Sequence, residues 1–274
     1  MSTDTAAPRT PYRVRHDTRF RLLEVARVED VTPAMRRITL RGEALEGFRS
    51  DSFNDHVKLF FPAPGEREPV VPTPSPNGPV FPEGQPRPVA RDYTPRRFDA
   101  AAGELVLDFA LHDNGPATEW ASRARPGDRL GVGGPRGSFV IPADYDWHLL
   151  IGDETALPAI GRRLEELPAN ARAIVLAEVA SAAEEQRFRS LARTEIHWIH
   201  RGEAAAGSST GMEEALAAFT LPDGEGFAWV ACESEVARRL RAILLEQHAL
   251  PKGRVKAAGY WKRGAVAAHE NLDD

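Results

Sequence analysis

The stretch Arg91-Asp92-Tyr93-Thr94-Pro95-Arg96-Arg97 holds the residue types best suited to binding chemistry. Read as a β-strand, it turns Arg91 and Tyr93 to one face and Asp92 and Thr94 to the other, which sets a ring beside a cation. A planar, phosphate-bearing cofactor suits that pair. Its ring would stack on Tyr93, it would accept a hydrogen bond from Thr94, and Arg91 and Arg96 would meet its charge. The same seven residues would also serve as a solvated cationic edge strand.

Three other places carry comparable chemistry. The run His112-Asp113-Asn114-Gly115-Pro116-Ala117-Thr118-Glu119-Trp120 sets a turn before a proline at a first helical position, so a helix is expected from about Pro116. Its free N–H groups would hold a pyrophosphate, with Ala117 and Thr118 small enough to let the anion reach the backbone. Gly152-Asp153-Glu154-Thr155-Ala156 and Ala231-Cys232-Glu233-Ser234 stand at the carboxyl ends of two expected strands. Open α/β sheets bind ligands there, and ordinary turns with helix N-caps would read the same way. No G-x-G-x-x-G is present, so the usual dinucleotide loop is excluded. Gly259-Tyr260-Trp261-Lys262-Arg263-Gly264 places two aromatics before two cations. Such a run would cover a stacked ring and dock an anion, or pack against its neighbours with the cations in water.

The elements that position these residues fall into two sets. Residues 20–28 and 35–41 read as a hairpin turning at Val31-Thr32-Pro33, and residues 56–61 continue the alternation, with Val57, Leu59 and Phe61 on one face and Lys58 on the other. Residues 62–88 hold too much proline for a helix or a central strand. They are expected to leave as a long surface loop and return into Arg91. Residues 104–111, with Leu105, Leu107, Phe109 and Leu111 on one face, and residues 129–133, after the turn Pro126-Gly127-Asp128, complete six short strands. Few helices interrupt them, which predicts a closed antiparallel barrel.

From Trp147 strand and helix alternate. Residues 147–151, 173–179, 195–199, 227–232 and 254–258 read as buried strands, while Leu157, Ile160, Leu164 and Leu167, and then Val236, Leu240 and Leu244, fall at helical spacing. Thr210 with Glu213 reads as a capping box. The alternation predicts a parallel, doubly wound sheet. The chain is therefore expected to divide into a barrel over residues 17–145 and an α/β domain over residues 146–274.

Composition narrows the function classes. The 274 residues, 42% apolar and 27% charged, suffice for two modest domains with their own cores. A net charge of −5 gives no general attraction to nucleic acid or acidic membranes, so any basic site must be local. One cysteine, Cys232, excludes an internal disulfide framework and an all-cysteine metal site, and points to reducing cytoplasm. Residues 1–16 are polar, read as a disordered leader and lack the apolar core of a secretory signal; no run reaches the roughly 18 apolar residues of a membrane helix.

With R-x-Y-T-x-R at Arg91–Arg96 inside a barrel that precedes an α/β domain, the chain resembles the ferredoxin–NADP reductase superfamily. More narrowly, it resembles the siderophore-interacting protein family of flavin-dependent ferric-siderophore reductases. The resemblance runs from about Phe20 to Gly264 through Asp55-His56-Val57-Lys58-Leu59, His112-x-x-x-Gly115-Pro116-Ala117-Thr118-x-Trp120, Gly134-Pro135-Arg136-Gly137-Ser138-Phe139, Gly152-Asp153-Glu154-Thr155-Ala156 and Gly259-Tyr260-Trp261-Lys262-Arg263-Gly264. It implies FAD in the barrel, held by Arg91, Tyr93, Thr94, Arg96, Asp108, Phe109, Ala110, His112, Gly115, Pro116, Ala117 and Thr118. It implies NAD(P)H near Asp153, Glu154, Thr155, Ala156 and Glu233, and a ferric siderophore beside Lys58, Lys262 and Arg263. The flavin carries the chemistry, so no side chain is assigned a catalytic role and no protein metal site is needed. Cys232 would border the nicotinamide or simply fill the core.

The resulting expectation is a monomeric cytoplasmic reductase that passes electrons from NAD(P)H, or from ferredoxin, to a ferric siderophore and releases Fe(II). A flavin or quinone reductase of the same fold and a non-enzymatic siderophore carrier are the alternatives. Glu178 would suit a ribose hydroxyl and Arg187 a 2′-phosphate, which leaves the choice of nicotinamide open.

Overall fold

The computed structural model describes residues 9–76, 78–111, 115–265 and 270–272. Its first strands are β1 (Tyr12–Arg15), β2 (Phe20–Thr32), β3 (Met35–Arg41), β4 (Val57–Phe60), β5 (Ala90–Tyr93), β6 (Pro95–Asp99) and β7 (Glu104–Ala110). Helix α1 (Pro116–Arg123) follows, then β8 (Arg129–Gly133) and β9 (Gly137–Val140). Strands β2 to β8 form an antiparallel sheet in the order β5-β4-β8-β2-β3-β7-β6. Its two edge strands are consecutive in the chain with Thr94 alone between them, so the sheet must curl until its edges meet.

The sequence predicts six strands where this sheet has seven. The stretch from Arg91 to Arg97 breaks at Thr94, because Pro95 carries no N–H for the ladder and can only open a new strand. The alternating residues Leu23, Val25, Ile38, Leu40, Val57, Leu59, Leu105, Leu107 and Phe109 fill the inside as expected. Phe60, on the outer face with Lys58, is buried as well, since the proline-rich excursion folds back and sets Phe81 edge-on to it at 6.2 Å. The hairpin turns one step later than expected, at Pro33 and Ala34, with Val31 and Thr32 still in β2. The expected leader also proves structured from Arg9. Its alternating Tyr12-Arg13-Val14-Arg15 forms β1, which pairs with β9, and Arg9 is ion-paired to Asp146 at 2.9 Å.

The second half runs β10 (Trp147–Gly152), α2 (Leu157–Glu166), β11 (Arg172–Val179), β12 (Arg193–His200), α3 (Gly211–Ala218), β13 (Gly226–Glu233), α4 (Ser234–Ala242), β14 (Val255–Trp261) and β15 (Glu270–Asn271). The sheet order is β12-β11-β10-β13-β14-β15, parallel through β14. Alternate residues face opposite helices: Leu150, Val175 and Trp229 pack with Leu157, Ile160 and Leu164 of α2, and Ile151, Ile174 and Val230 with Met212, Leu216, Val236 and Leu240 of α3 and α4. This is the doubly wound arrangement.

Three expectations need correction here. β12 is an edge strand and largely half-exposed, because it has a neighbour on one side only. Residues 270–271, beyond the five strands expected, pair antiparallel with β14. Thr210 stands at the N-cap of α3 without capping it: its hydroxyl donates to Glu214 at 2.7 Å, and Glu213 accepts from Arg239 at 2.8 Å.

Helix α2 joins the two halves. Arg162 donates from Nη1 to Ser50 Oγ (2.8 Å) and Pro95 O (3.0 Å) and from Nη2 to Ser50 O (2.8 Å). Arg163 Nη2 donates to Ile141 O (3.0 Å) and Pro142 O (2.8 Å), and Glu165 accepts both guanidinium nitrogens of Arg96 at 2.8 and 2.5 Å. Beyond α2, Glu184 accepts from Ala34 N at 3.1 Å and from Thr32 Oγ1 at 2.5 Å, pinning the β2–β3 turn.

His148 in β10 is buried, gives Nε2–H to Ala143 O at 3.2 Å and has Nδ1 3.4 Å from Arg163 Nη2. Burial first, then the Arg163 charge, lower its pKa from 6.5 to about 3. The unfolded chain therefore binds a proton below pH 6.5 that the folded protein refuses, and stability present above pH 6.5 is lost progressively as pH falls toward 3. Denaturant melts of His148→Gln are expected to show a shallower loss of stability between pH 6.5 and 4 than the parent, by the uptake of about one proton. Identical slopes would contradict this.

Candidate functional site

At the closure of the barrel, β5 ends in Tyr93 and β6 begins at Pro95, so Thr94 sits buried on the seam. The Tyr93 ring packs 4.4 Å from that of Phe109 and stays partly exposed, and burial raises its phenol well above the ordinary range. Arg91 lies two residues back, as a strand requires, with Nη1 donating to Ala90 O at 2.8 Å. The ladder between β6 and β7 starts at Pro95 and Leu107, so Asp108, Phe109 and Ala110 extend past its end beside the seam.

Helix α1 starts at Pro116, as the sequence predicts. Its N-cap Gly115 is extended and, as a glycine, supplies no side-chain cap of its own. A Cβ on Gly115 would meet nothing within 4 Å, which leaves the helix end open to an anion. A partly exposed ring, a guanidinium and a helix terminus with open space at Gly115 fit a flavin with its pyrophosphate. His112 lies outside the described residues.

Two of the expected cofactor side chains are committed elsewhere. Arg96 is buried and bidentate to Glu165, with Asp108 at 3.8 Å. The Asp108 carboxylate takes Arg37 at 2.7 and 2.8 Å. Phe109 is wholly inside the barrel, so what Asp108 and Phe109 have to offer at the seam is backbone.

At the carboxyl edge of the parallel sheet, Asp153 is an acceptor for four groups. Oδ1 takes Thr155 N (3.0 Å) and Thr155 Oγ1 (2.5 Å), and Oδ2 takes Glu233 N (3.2 Å) and Trp261 Nε1 (2.8 Å). Glu233 in turn caps α4, accepting from Glu235 N (2.7 Å) and Val236 N (3.1 Å), while its other oxygen accepts from Arg263 N at 3.1 Å. Gly152 must be glycine, since a Cβ there would lie 2.4 Å from both Ala156 Cβ and Ala231 O. Ala156 is core and Thr155 remains half-exposed. Glu154 is ion-paired to Arg201; burial, then the Asp153 charge, raises its pKa. Glu178 is buried, raised in pKa mainly by desolvation, and shares the influence of Arg201. Cys232 lies fully buried in the core against α3 and α4, and burial raises its thiol pKa, so it is a core residue.

The C-terminal aromatics connect the two halves. The Tyr260 hydroxyl is hydrogen-bonded to Thr94 on the barrel seam, its ring lies edge-on to Trp229 at 6.1 Å, and Trp261 reaches Asp153. The three expected substrate cations are less alike. Lys58 pairs with Asp92 at 2.6 Å, Lys262 lies 3.6 Å from Glu270 and 3.9 Å from Glu235, and Arg263 is exposed. Arg136, which the sequence reading passed over, is also exposed, three residues beyond Gly133, the register partner of Lys58. Its signal was the Gly134-Pro135-Arg136-Gly137 turn between two short strands.

Residues 24–139 match a siderophore-interacting FAD-binding domain, and residues 145–264 match a siderophore-interacting protein domain. The chain is 43% identical to an NADPH-dependent ferric-chelate reductase of Escherichia coli, over 93% of this chain and 97% of the relative. It is 34% identical to the ferric vibriobactin reductase ViuB of Vibrio cholerae, over 89% and 90%. Among solved structures, a siderophore utilization protein from T. fusca superposes with a TM-score of 0.88 at 42% identity, covering 94% of this chain and 98% of that one.

Asp153→Ala would strand the buried Glu233 N–H and the Trp261 indole N–H, at about 1–3 kcal/mol for each unpaired group. A loss of about 2–5 kcal/mol in urea unfolding is expected, whereas Thr155→Val, which removes one hydroxyl donor, should cost about 1 kcal/mol or less. Equal losses in the two variants would show that Asp153 does not tie β10, β13 and the C-terminal segment together.

Proposed function

We propose a reductase function on one premise: the chain belongs to the siderophore-interacting protein family. The protein takes hydride from NADPH and reduces Fe(III) held in a siderophore, with FAD between donor and acceptor. FAD, when bound, accepts two electrons together and passes them on singly, so one hydride serves two ferric ions. The observation that carries this reading is the convergence at one crevice of Tyr93 and Thr94, Tyr260 bonded to Thr94, and its neighbour Trp261 bonded to Asp153. A flavin ring, a nicotinamide and a third ligand would all be within reach there.

The residues divide the work. The barrel, residues 17–145, holds FAD through the Tyr93 ring, the Arg91 guanidinium, the backbone of Asp108–Ala110 and the start of α1 at Gly115 and Ala117. The α/β domain, residues 146–274, offers the nucleotide the strand ends around Thr155, with Asp153 and Glu233 shaping that edge rather than touching the ligand by charge. Lys58, Arg136, Lys262 and Arg263 supply local positive charge for an anionic chelate on a protein of net charge −5. Release follows from reduction, because oxygen-rich chelators hold Fe(II) less tightly than Fe(III). A monomer in reducing cytoplasm, with its single thiol buried, completes the reading.

The deciding experiment is optical. Purified protein should be yellow, lose that colour with NADPH under anaerobic conditions and regain it on addition of a ferric siderophore. Protein that is colourless and takes up no FAD would overturn the proposal, and protein that recovers colour with quinones but not with ferric chelates would reassign the acceptor. Arg91→Ala should weaken FAD binding by about tenfold to a hundredfold, the worth of one charge-assisted contact.

Lys58→Gln tests the acceptor side. It should raise KM for an anionic ferric catecholate by about fivefold or more, change KM for a neutral hydroxamate little, and leave NADPH-driven FAD reduction as it was. A uniform change across both chelates would place Lys58 outside the substrate site.

A further inference from the structure

A second group of cations surrounds a cavity of about 150 Å³, and we infer that it binds a phosphate-type oxyanion. The walls come from Arg15, His16, Arg19, Arg21, Arg49 and Gly134. None of these belongs to the candidate FAD, nucleotide or chelate residues, so the inference does not depend on the reductase reading. The size excludes a nucleotide or a drug-sized ligand, which needs about 300 Å³ or more, and suits a single tetrahedral anion.

Charge is the first argument. Arg21 is 4% exposed, and its guanidinium is held by carbonyls, with Nε donating to Ala44 O (2.8 Å) and Nη1 to Gly134 O (3.1 Å) and Arg19 O (3.4 Å). It also lies over the Phe48 ring at 5.2 Å. Among the described residues no carboxylate pairs with it. Buried cations normally have an ionic partner. Burial first and the Arg19 charge second lower the Arg21 pKa, which shows a cation short of negative charge. Gly47, left-handed at φ 69°, lets the Arg19 guanidinium lie 3.3 Å from where a Cβ would stand, so a second cation reaches the same space. The opposing carboxylates are Asp17 in the wall and Asp51, which pairs with Arg49 at 2.7 Å. Four guanidinium groups therefore face two carboxylates.

His16 is the second argument. Its side chain is 5% exposed, and Nε2 lies 2.8 Å from Ser138 Oγ. Ser138 gives its own hydrogen to Asp55 Oδ2 at 2.6 Å and so must accept from His16, which puts the ring hydrogen on Nε2. Nδ1 is then a buried acceptor, and it has no partner. Such a group costs stability unless a donor arrives. Hydrogen phosphate brings both things the cavity lacks: anionic oxygens for the guanidinium groups and an O–H for His16 Nδ1. Sulfate brings only the first, and chloride has neither the shape nor the donor.

Titration calorimetry of the FAD-loaded protein with inorganic phosphate, at pH 7.5 and at ionic strength held constant with sodium chloride, tests this. Saturable binding is expected, with sulfate at least about tenfold weaker. The double variant Arg15→Gln/Arg19→Gln should lose at least about tenfold in phosphate affinity, in keeping with the loss of charge-assisted contacts. Both side chains are exposed, so circular dichroism and flavin content should match the parent. Arg41→Gln, a cation outside the cavity, should bind phosphate like the parent. Absence of saturable binding above the chloride baseline, undiminished affinity in the double variant, or sulfate binding as tightly as phosphate would each overturn the assignment.

Discussion

Two guanidinium groups on consecutive residues of one helix set the relation between the barrel and the parallel sheet. Arg162 and Arg163 leave α2 for the barrel side and end on backbone carbonyls of Ser50, Pro95, Ile141 and Pro142, while Glu165 two residues on takes Arg96 from β6. Removing one partner from such a buried arrangement leaves a charge or a carbonyl stranded, at a cost of about 3–5 kcal/mol for an ion pair. The geometry is therefore tightly held. Pro95 and Arg96 adjoin Thr94, so fixing them against α2 fixes the seam on which Tyr93 and Tyr260 sit.

Burial sorts the cations that sequence reasoning had treated alike. Arg96, with 7% of its side chain exposed, is a structural cation whose partner Glu165 would have to be replaced before a phosphate could claim it. Lys58 is 45% exposed beside Asp92, and Lys262 38% exposed near two glutamates. Exposed pairs are worth about 0–1 kcal/mol, so a multivalent anion can draw such side chains away at little cost. Those pairs also keep the surface of an acidic protein from carrying an isolated basic patch when no anion is near. The same logic marks the cavity around Arg21 as different, since among the described residues the buried guanidinium is held by carbonyls and a ring and pairs with no carboxylate.

The carboxyl edge of the parallel sheet is held in shape by buried carboxylates that bond one another's neighbours. Asp153 gathers β10, β13 and the C-terminal segment through one carboxylate, and Glu233 does the same for α4 and Arg263. Both are nearly fully buried. Their rigidity positions Thr155 and Trp261, which are partly exposed. A strand-end loop without a glycine-rich turn needs some other means of holding its shape, and this hydrogen-bonded knot provides one.

The sequence by itself determined the inward faces of most strands and helices and the start of α1. The alternation of Leu105, Leu107 and Phe109, the helical spacing of Leu157, Ile160 and Leu164, and Pro116 after Gly115 are local patterns, and backbone periodicity translates them directly into a barrel wall, a covering helix and a helix start. The family resemblance could be read for the same reason, since motifs such as Arg91–Arg96 and Gly259–Gly264 are contiguous in the chain. Tertiary structure alone decided the partners of the polar side chains. That Arg96 belongs to Glu165, Asp108 to Arg37, Asp153 to Trp261, and that Arg21 and Gly134 wall one cavity, involves residues far apart in the chain. A hydrogen bond or ion pair depends on distances of about 3 Å between groups whose separation along the chain carries no periodic signal, so no reading of spacing could have assigned them.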